Sequence, residues 1–432
     1  MNLAYQNIEQ KKWFIFIIII LGAILGIVAS NGILLISFFT LLLLMFLFYL
    51  FVYNRNLFIL IFAVNYFYTF ELNINIQFNR NIDILSLVFI LFMGIRSDII
   101  LRNYKNLKFL YLLALSSLLI LFSSSLFSHE ILNSFRGTYE VLVFYLFIIY
   151  VFDSFKNLHD IELFISKLFL VFIICLVANW GLRFLYPNLT LNKNVYGFIL
   201  DLIIPLGFVL LQYKKNLKIF LFLLLSIITL LFNDSRGSLL AVVISIFLYL
   251  ILYKRNIIKI FRYALVGLFI SVISFFVLPD TIITRLTDID DKNDFNTITR
   301  IDMWEASRDL FVNHPYIGIG LRNFNYYYNS FYNDFPYFNP FHPHNTYLYI
   351  LSGTGIIGSL VFLIGVVVFG FIIIRCRKKS SDYLGAFVTG VLVSLVALLI
   401  HGMVDTYIIY ISVMLMVSLY IGLVLKIYQF SK

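Results

Sequence analysis

The chain has 432 residues, 62% of them hydrophobic and only 12% charged, with a net charge of +10. Soluble domains carry about 25% charged residues, so this composition excludes a water-soluble globule and points to an all-α polytopic membrane protein. The lysines and arginines sit in short loops between apolar runs, where they orient helices, and form no basic face for nucleic acid. Cys175 and Cys376 offer neither a disulfide framework nor a metal motif.

Lys11-Lys12 precede an apolar run to Val28-Ala29-Ser30 that has the look of a signal peptide. Another apolar stretch follows at once, so the segment reads as a retained first helix with a cytoplasmic N-terminus. A spanning helix needs about 20 mostly apolar residues. Stretches near 13–30, 33–53, 57–70, 82–95, 107–127, 139–152, 162–182, 194–213, 217–233, 238–253 and 259–278 meet or approach this length. After a long polar interval come 347–374, 384–400 and 406–427. Twelve to fourteen spans are expected, because some segments in the pairs 57–70 with 82–95 and 217–233 with 238–253 are short enough to be re-entrant. The domains are then transmembrane helices over 1–278, a large helix-containing loop over 279–346, and transmembrane helices over 347–432.

Charge sets the orientation. With the N-terminus inside, twenty-one lysines and arginines fall on the cytoplasmic side and ten on the other, five of them in the long loop. Long loops escape the positive-inside bias, so the short loops split strongly inward. Both termini are expected in the cytoplasm and the long loop outside.

Two outward arginines stand against that bias. Arg136 precedes Gly137 and an apolar run, and Arg236 lies in the turn Asn233-Asp234-Ser235-Arg236-Gly237. A guanidinium there offers planar, bidentate donors to phosphate oxygens, or anchors a helix end in lipid headgroups. Within the spans, Asp201 precedes Pro205, and Asp405 follows His401 near the last outer turn. Intramembrane carboxylates are functional candidates, though pairing with an arginine is an adequate structural role.

The long loop has internal order. Leu286 to Asn296 is acidic but lacks the glycine and terminal glutamate of a calcium loop, so it reads as a solvated linker. Thr297 to Val312 reads as an amphipathic helix whose Arg300, Trp304 and Arg308 share one face, while Ile301, Met303 and Leu310 pack elsewhere. That face suits an anionic or sugar ligand, and a salt-bridged surface helix has the same pattern. Asn313-His314-Pro315, then Gly318 and Gly320, end the helix. The aromatic stretch Phe324 to Phe341 stacks on sugar rings or belts the membrane interface. His342-Pro343-His344-Asn345 then leads into a helix carrying Gly353, Gly355 and Gly358. A histidine titrates near neutral pH and accepts a proton from a hydroxyl. A loop histidine is usually just solvated; the position of this pair, between a polar loop and a membrane helix, favours chemistry. The chain has no HExxH, CxxC, Walker or DxD motif to support a metal or nucleotide mechanism.

The Ser235-Arg236-Gly237 turn, Arg300-x-x-x-Trp304, Pro315-x-x-Gly318-x-Gly320 and Pro343-His344-Asn345-x-x-Leu348 with Gly355-Ile356-Ile357-Gly358 resemble the bacterial O-antigen ligase and O-antigen polymerase family. These motifs occupy residues 233–360, about a quarter of the chain. The resemblance implies a metal-independent, inverting glycosyltransferase without cofactor in the bacterial cytoplasmic (inner) membrane. Its donor is an undecaprenyl-diphosphate-linked glycan and its acceptor a saccharide; a chain-length regulator and a flippase are the implied partners. Carried over, Arg236 and Arg300 hold the diphosphate and His344 deprotonates or orients the acceptor hydroxyl, with Arg136 added as a further phosphate contact. His342, Asn345, Trp304, Arg308 and Asp201 are the supporting candidates, and either His342 or His344 serves as base. The expected activity is polymerisation of repeat units of an O-antigen or capsule, with ligation to lipid A-core or protein as the alternative. A lipid-linked sugar transporter is disfavoured, since its polar groups belong at the bilayer midplane.

Overall fold

A computed structural model describes residues 34–65, 80–185, 193–233, 235–254, 295–332, 340–380 and 382–431. The spans expected near 13–30 and 259–278, and most of the acidic linker, lie outside the described residues. The described chain is helical without strands, as expected of an all-α polytopic membrane protein. Eight of its helices are long and apolar enough to cross a membrane, and four shorter apolar helices accompany them.

The chain divides into two units, residues 1–61 and 62–432. The first contains α1 (Leu34–Tyr53) and the start of α2 (Arg55–Asn65), where the buried rings of Phe51 and Phe58 meet edge to face at 5.4 Å. The second holds α3 (Arg80–Ile95), α4 (Asp98–Asn103), α5 (Lys108–Leu126), α6 (Ile131–Ser154), α7 (Leu158–Leu185), α8 (Lys193–Tyr213), α9 (Leu217–Phe232) and α10 (Arg236–Tyr249). Beyond α10 the chain forms a short π-helix, Leu250–Lys254. Then come α11 (Phe295–Asn313), α12 (Phe324–Phe331), α13 (Thr346–Lys379), α14 (Asp382–His401) and α15 (Ile411–Phe430). A Cβ on Gly390 of α14 would stand 2.6 Å from Leu206 of α8, and one on Gly422 of α15 would stand 2.7 Å from Val151 of α6. Small residues at these crossings let backbones approach, the usual basis of helix association in lipid.

Successive long helices reverse direction, so the turns gather at two ends. One end carries residues 128–131, 233, 235–236, 314–324, 340–346 and 402–410. The other carries 96–108, 154–158, 214–217 and 375–380, and is rich in lysine and arginine.

At the first end two expected boundaries move. The span read as 139–152 begins at Ile131, because its first two turns are polar and escape a hydropathy reading. That extension puts Arg136 and Glu140 one turn apart on one helix. The span read as 406–427 begins only at Ile411, since residues 402–410 form the turn that presents Asp405.

The helix expected over 347–374 is broken within its third turn. Gly355 has φ 63° and ψ −168°, outside the helical region. The polar groups freed by the break are satisfied by the chain after α11. Ile319 and Gly320 amides donate to the Ser352 and Gly353 carbonyls at 2.9 Å, and the Ile356 amide donates to Pro315 at 2.8 Å. A Cβ on Gly355 would lie 2.3 Å from the Tyr316 backbone, and one on Gly318 would lie 2.4 Å from that of Gly353. Only glycine fits this contact, which is the physical content of the paired glycine motifs. The loop is thereby fastened to a membrane helix through backbone bonds. Above the seam, Met303, Ala306 and Leu310 of α11 pack on Ile319, Phe324 and Tyr328 as a small core, while Ile301, expected to pack, is exposed.

Candidate active site

Asn345 begins the site. Its side chain caps α13 by accepting from the Tyr347 and Leu348 amides at 3.0 Å, and its Nδ2 donates to the Met403 carbonyl at 2.9 Å. The Thr346 amide donates to Gly402 at 2.8 Å. These bonds lash the His342–Asn345 segment to the 402–410 turn, and so bring two sequence-distant groups together. His344 Nδ1 lies 3.0 Å from Asp405 Oδ1, which also accepts from the Thr406 amide at 2.7 Å. The Asp405 side chain is 2% exposed and that of His344 is 26% exposed, so the carboxylate is sealed while the imidazole reaches water.

The protonation pattern follows. Burial alone pushes the Asp405 carboxyl up, but the hydrogen bond from His344 and the imidazole charges around it prevail and hold it well below the ordinary carboxylate range. An ionised Asp405 only accepts, so His344 Nδ1 carries the hydrogen, and in the neutral ring the lone pair lies on Nε2. His342 behaves differently. Burial, then repulsion from His344, Arg322 and Arg300, push it down to about 3 against the pull of Asp405, and it stays neutral. Its Nδ1 accepts from the His344 amide at 3.2 Å, and its Nε2 faces the Tyr410 hydroxyl at 3.5 Å.

His344 (φ 48°) and Arg322 (φ 63°) both have left-handed backbone, and both are non-glycine. Such conformations cost about 1–3 kcal/mol and persist where surrounding bonds over-determine them. Arg322 is held that way: its amide donates to the Tyr349 hydroxyl at 2.9 Å, and its guanidinium to Glu140 at 2.6 and 3.0 Å and to the Ile409 carbonyl at 2.9 Å. Arg136 reaches the same Glu140 more loosely, at 3.7 Å, with its side chain 39% exposed. Glu140 therefore ties α6 to the loop and, through Arg322, to the 402–410 turn.

The sequence-derived candidates fall as follows. Arg300 lies in the first half of α11, close enough for its charge to act on His342. Arg236 opens α10 behind the Ser235 cap, and its neighbour Gly237 packs against His401 and Val404. Trp304 is partly buried, and its Nε1 is sealed with no hydrogen-bond partner among the described residues. Arg308 is exposed and paired with Asp309 at 3.1 Å. Neither carboxylate pairs with an arginine, the role weighed from sequence: Asp405 takes His344, and Asp201 takes His401 at 2.6 Å and Ser238 at 2.6 Å. Sequence reasoning passed over Arg322 and Glu140, whose partners lie 182 residues apart along the chain. His342, His344 and Asp405 each offer one ligand atom within 4.8 Å of the others, so a divalent cation has a potential seat here although no metal motif is written in the sequence.

Beside the Arg322–Glu140 pair, an apolar cleft opens between α5, α6, α13, α14 and α15, lined by Leu113, Val141, Leu321, Phe362, Leu395 and Tyr407 among others. It runs along α13 from Ile350 to Ile373, away from the 402–410 turn. No curated protein matches the chain. Residues 220–363 match the family described as O-antigen ligase, a stretch that includes Arg236, Arg300, the 315–320 turn and His344. The match spans a third of the chain and supports the O-antigen ligase and polymerase family that the motifs resemble.

Proposed function

We propose that this protein polymerises undecaprenyl-diphosphate-linked repeat units of a surface polysaccharide at the outer face of the bacterial cytoplasmic membrane. The observation that carries the reading is the His344–Asp405 pair: an imidazole with a free Nε2, oriented by a sealed carboxylate, beside fixed guanidinium charge. His344 Nε2 takes the proton of the acceptor hydroxyl as its oxygen bonds to the anomeric carbon. The bond from that carbon to the diphosphate oxygen breaks on the opposite face, and its electron pair leaves with the diphosphate. Configuration inverts. Arg236 and Arg300, with Arg136 as a further contact, hold the diphosphate and neutralise the charge that grows on it; such preorganised cations lower the barrier.

The apolar cleft supports a lipid-borne donor, because it offers a prenyl tail an apolar run beside the Arg322–Glu140 pair. With the leaving group stabilised by guanidiniums and the nucleophile activated by an imidazole, the reaction needs no metal. The polar groups gather at one end of the bundle, whereas alternating access places them at the midplane, which disfavours a transporter. A flippase that delivers the donor and a chain-length regulator are the partners this reading calls for. Ligation is the second reading, favoured by the description of the matched family.

Purified protein given lipid-linked repeat units alone separates the two. A ladder of lengthening lipid-linked glycan establishes polymerisation. Product that forms only when lipid A-core is added, with a single transfer per acceptor, establishes ligation and refutes the polymerase.

A further inference from the structure

A second histidine–aspartate pair lies directly behind the first. Asp201 in α8 and His401 at the end of α14 are 0% and 2% exposed at the side chain, with His401 Nδ1 2.6 Å from Asp201 Oδ2. Asp201 Oδ1 lies 2.6 Å from Ser238 Oγ, which also donates to the Gly197 carbonyl at 3.0 Å. An intramembrane acid–imidazole pair is costly to bury and is retained where its geometry is needed.

The pair touches both halves of the proposed machinery. The imidazole edge lies against Gly237: a Cβ there would meet His401 Cδ2 and Nε2 at 2.7 Å and Val404 at 3.0 Å. Gly237 follows Arg236, and Ser238, bonded to Asp201, follows Gly237. On the other side the Asp405 amide donates to the His401 carbonyl at 3.1 Å, and Gly402 receives the Thr346 amide. Asp201 thus grips the first turn of α10 through Ser238 and the root of the Asp405 turn through His401. Phe198, one helical turn before Asp201, closes the gap, with its ring 4.2 Å from that of His401 and 6.2 Å from that of Tyr410.

We infer that Asp201, His401 and Ser238 are positioning residues that register the Arg236 turn against the His344–Asp405 pair. They touch no substrate and act through Arg236. The inference rests on the donor-binding role proposed for Arg236. Displacing a positioned group by about 1 Å costs on the order of 10²-fold in rate, so a shifted Arg236 is felt in use of the donor without contact between the network and the reacting atoms.

The test is a double-mutant cycle on the purified full chain, with donor KM, acceptor KM and kcat read separately. Asp201→Asn, which keeps shape and removes charge, is expected to raise donor KM about tenfold or more with little change in acceptor KM. In an Arg236→Ala background the same substitution is expected to add less than about twofold, because the group it positions is gone. Ser238→Ala enters the same cycle as a gentler variant, so the question stays answerable if Asp201→Asn fails to fold. Multiplicative losses, or unchanged donor KM in both variants, overturn the inference and leave the Arg236 assignment standing. Full activity of Arg236→Ala alone overturns both.

Discussion

The two ends of the helix bundle carry charge in opposite ways. At the basic end the charges are exposed or only half-buried: Arg96 pairs with Asp98 at 2.8 Å, Arg102 with Asp153, and Arg377 and Lys426 lie over the rings of Tyr253 and Phe152 at 4.1 and 4.8 Å. At the other end Asp201, Glu140, His342, His401 and Asp405 are all buried, and Asp201, Glu140 and Asp405 take partners from segments distant in the chain. Exposed pairs contribute little, about 0–1 kcal/mol, and suffice to orient a helix. Buried networks fix one geometry, and breaking one partner is costly. Of these five residues only His342 falls within the family match, which also holds the partners Ser238, Arg322 and His344.

Substitutions that break the contrast rank by burial and role. The largest loss is expected at Asp405→Asn, which keeps size but removes the anion that selects the His344 tautomer; turnover should fall by about 10²-fold or more, with donor binding retained. Wild-type turnover in that variant would detach Asp405 from catalysis. Arg236→Lys and Arg300→Lys come next. An ammonium keeps the charge and loses the planar fork, and about 10-fold or greater losses in kcat/KM are expected in a lipid-donor assay. Glu140→Gln should act mainly on stability. It frees Arg322 from its carboxylate and should lower unfolding free energy in detergent by about 3 kcal/mol, visible as a drop in Tm. At the small end, Arg308→Ala removes an exposed charge paired only to its neighbour, so stability should move by less than about 0.5 kcal/mol and activity little. A severe Arg308 phenotype would sharpen the comparison by adding the outer face of α11 to the site.

Much of this was legible in the chain, for reasons that differ by residue. Helix-rich membrane architecture follows from composition, and the α11 helix and its stop follow from local rules of spacing and helix breaking, whereas the Asn345 cap of α13 emerges only in the structure. Asp405 was visible only as a weak intramembrane carboxylate, because its bond to His344 spans 61 residues and leaves no local pattern. Arg322 read merely as an outward charge; nothing near it in the chain announces Glu140. The break at Gly355 was hidden for another reason. Glycine is common in membrane helices, so its presence does not reveal that the 315–320 backbone docks there.

The central claim is that the imidazole of His344 carries the acceptor proton among fixed cations, without metal. Its most direct measurement is glycan extension by purified protein with lipid-linked repeat units in the presence of a strong chelator, wild type beside His344→Ala. Undiminished extension by the wild type and none by the variant are expected, with equal protein recovery and equal donor binding. Extension by His344→Ala at the wild-type rate, or loss of wild-type activity on chelation that zinc restores through the His342, His344 and Asp405 seat, would contradict it.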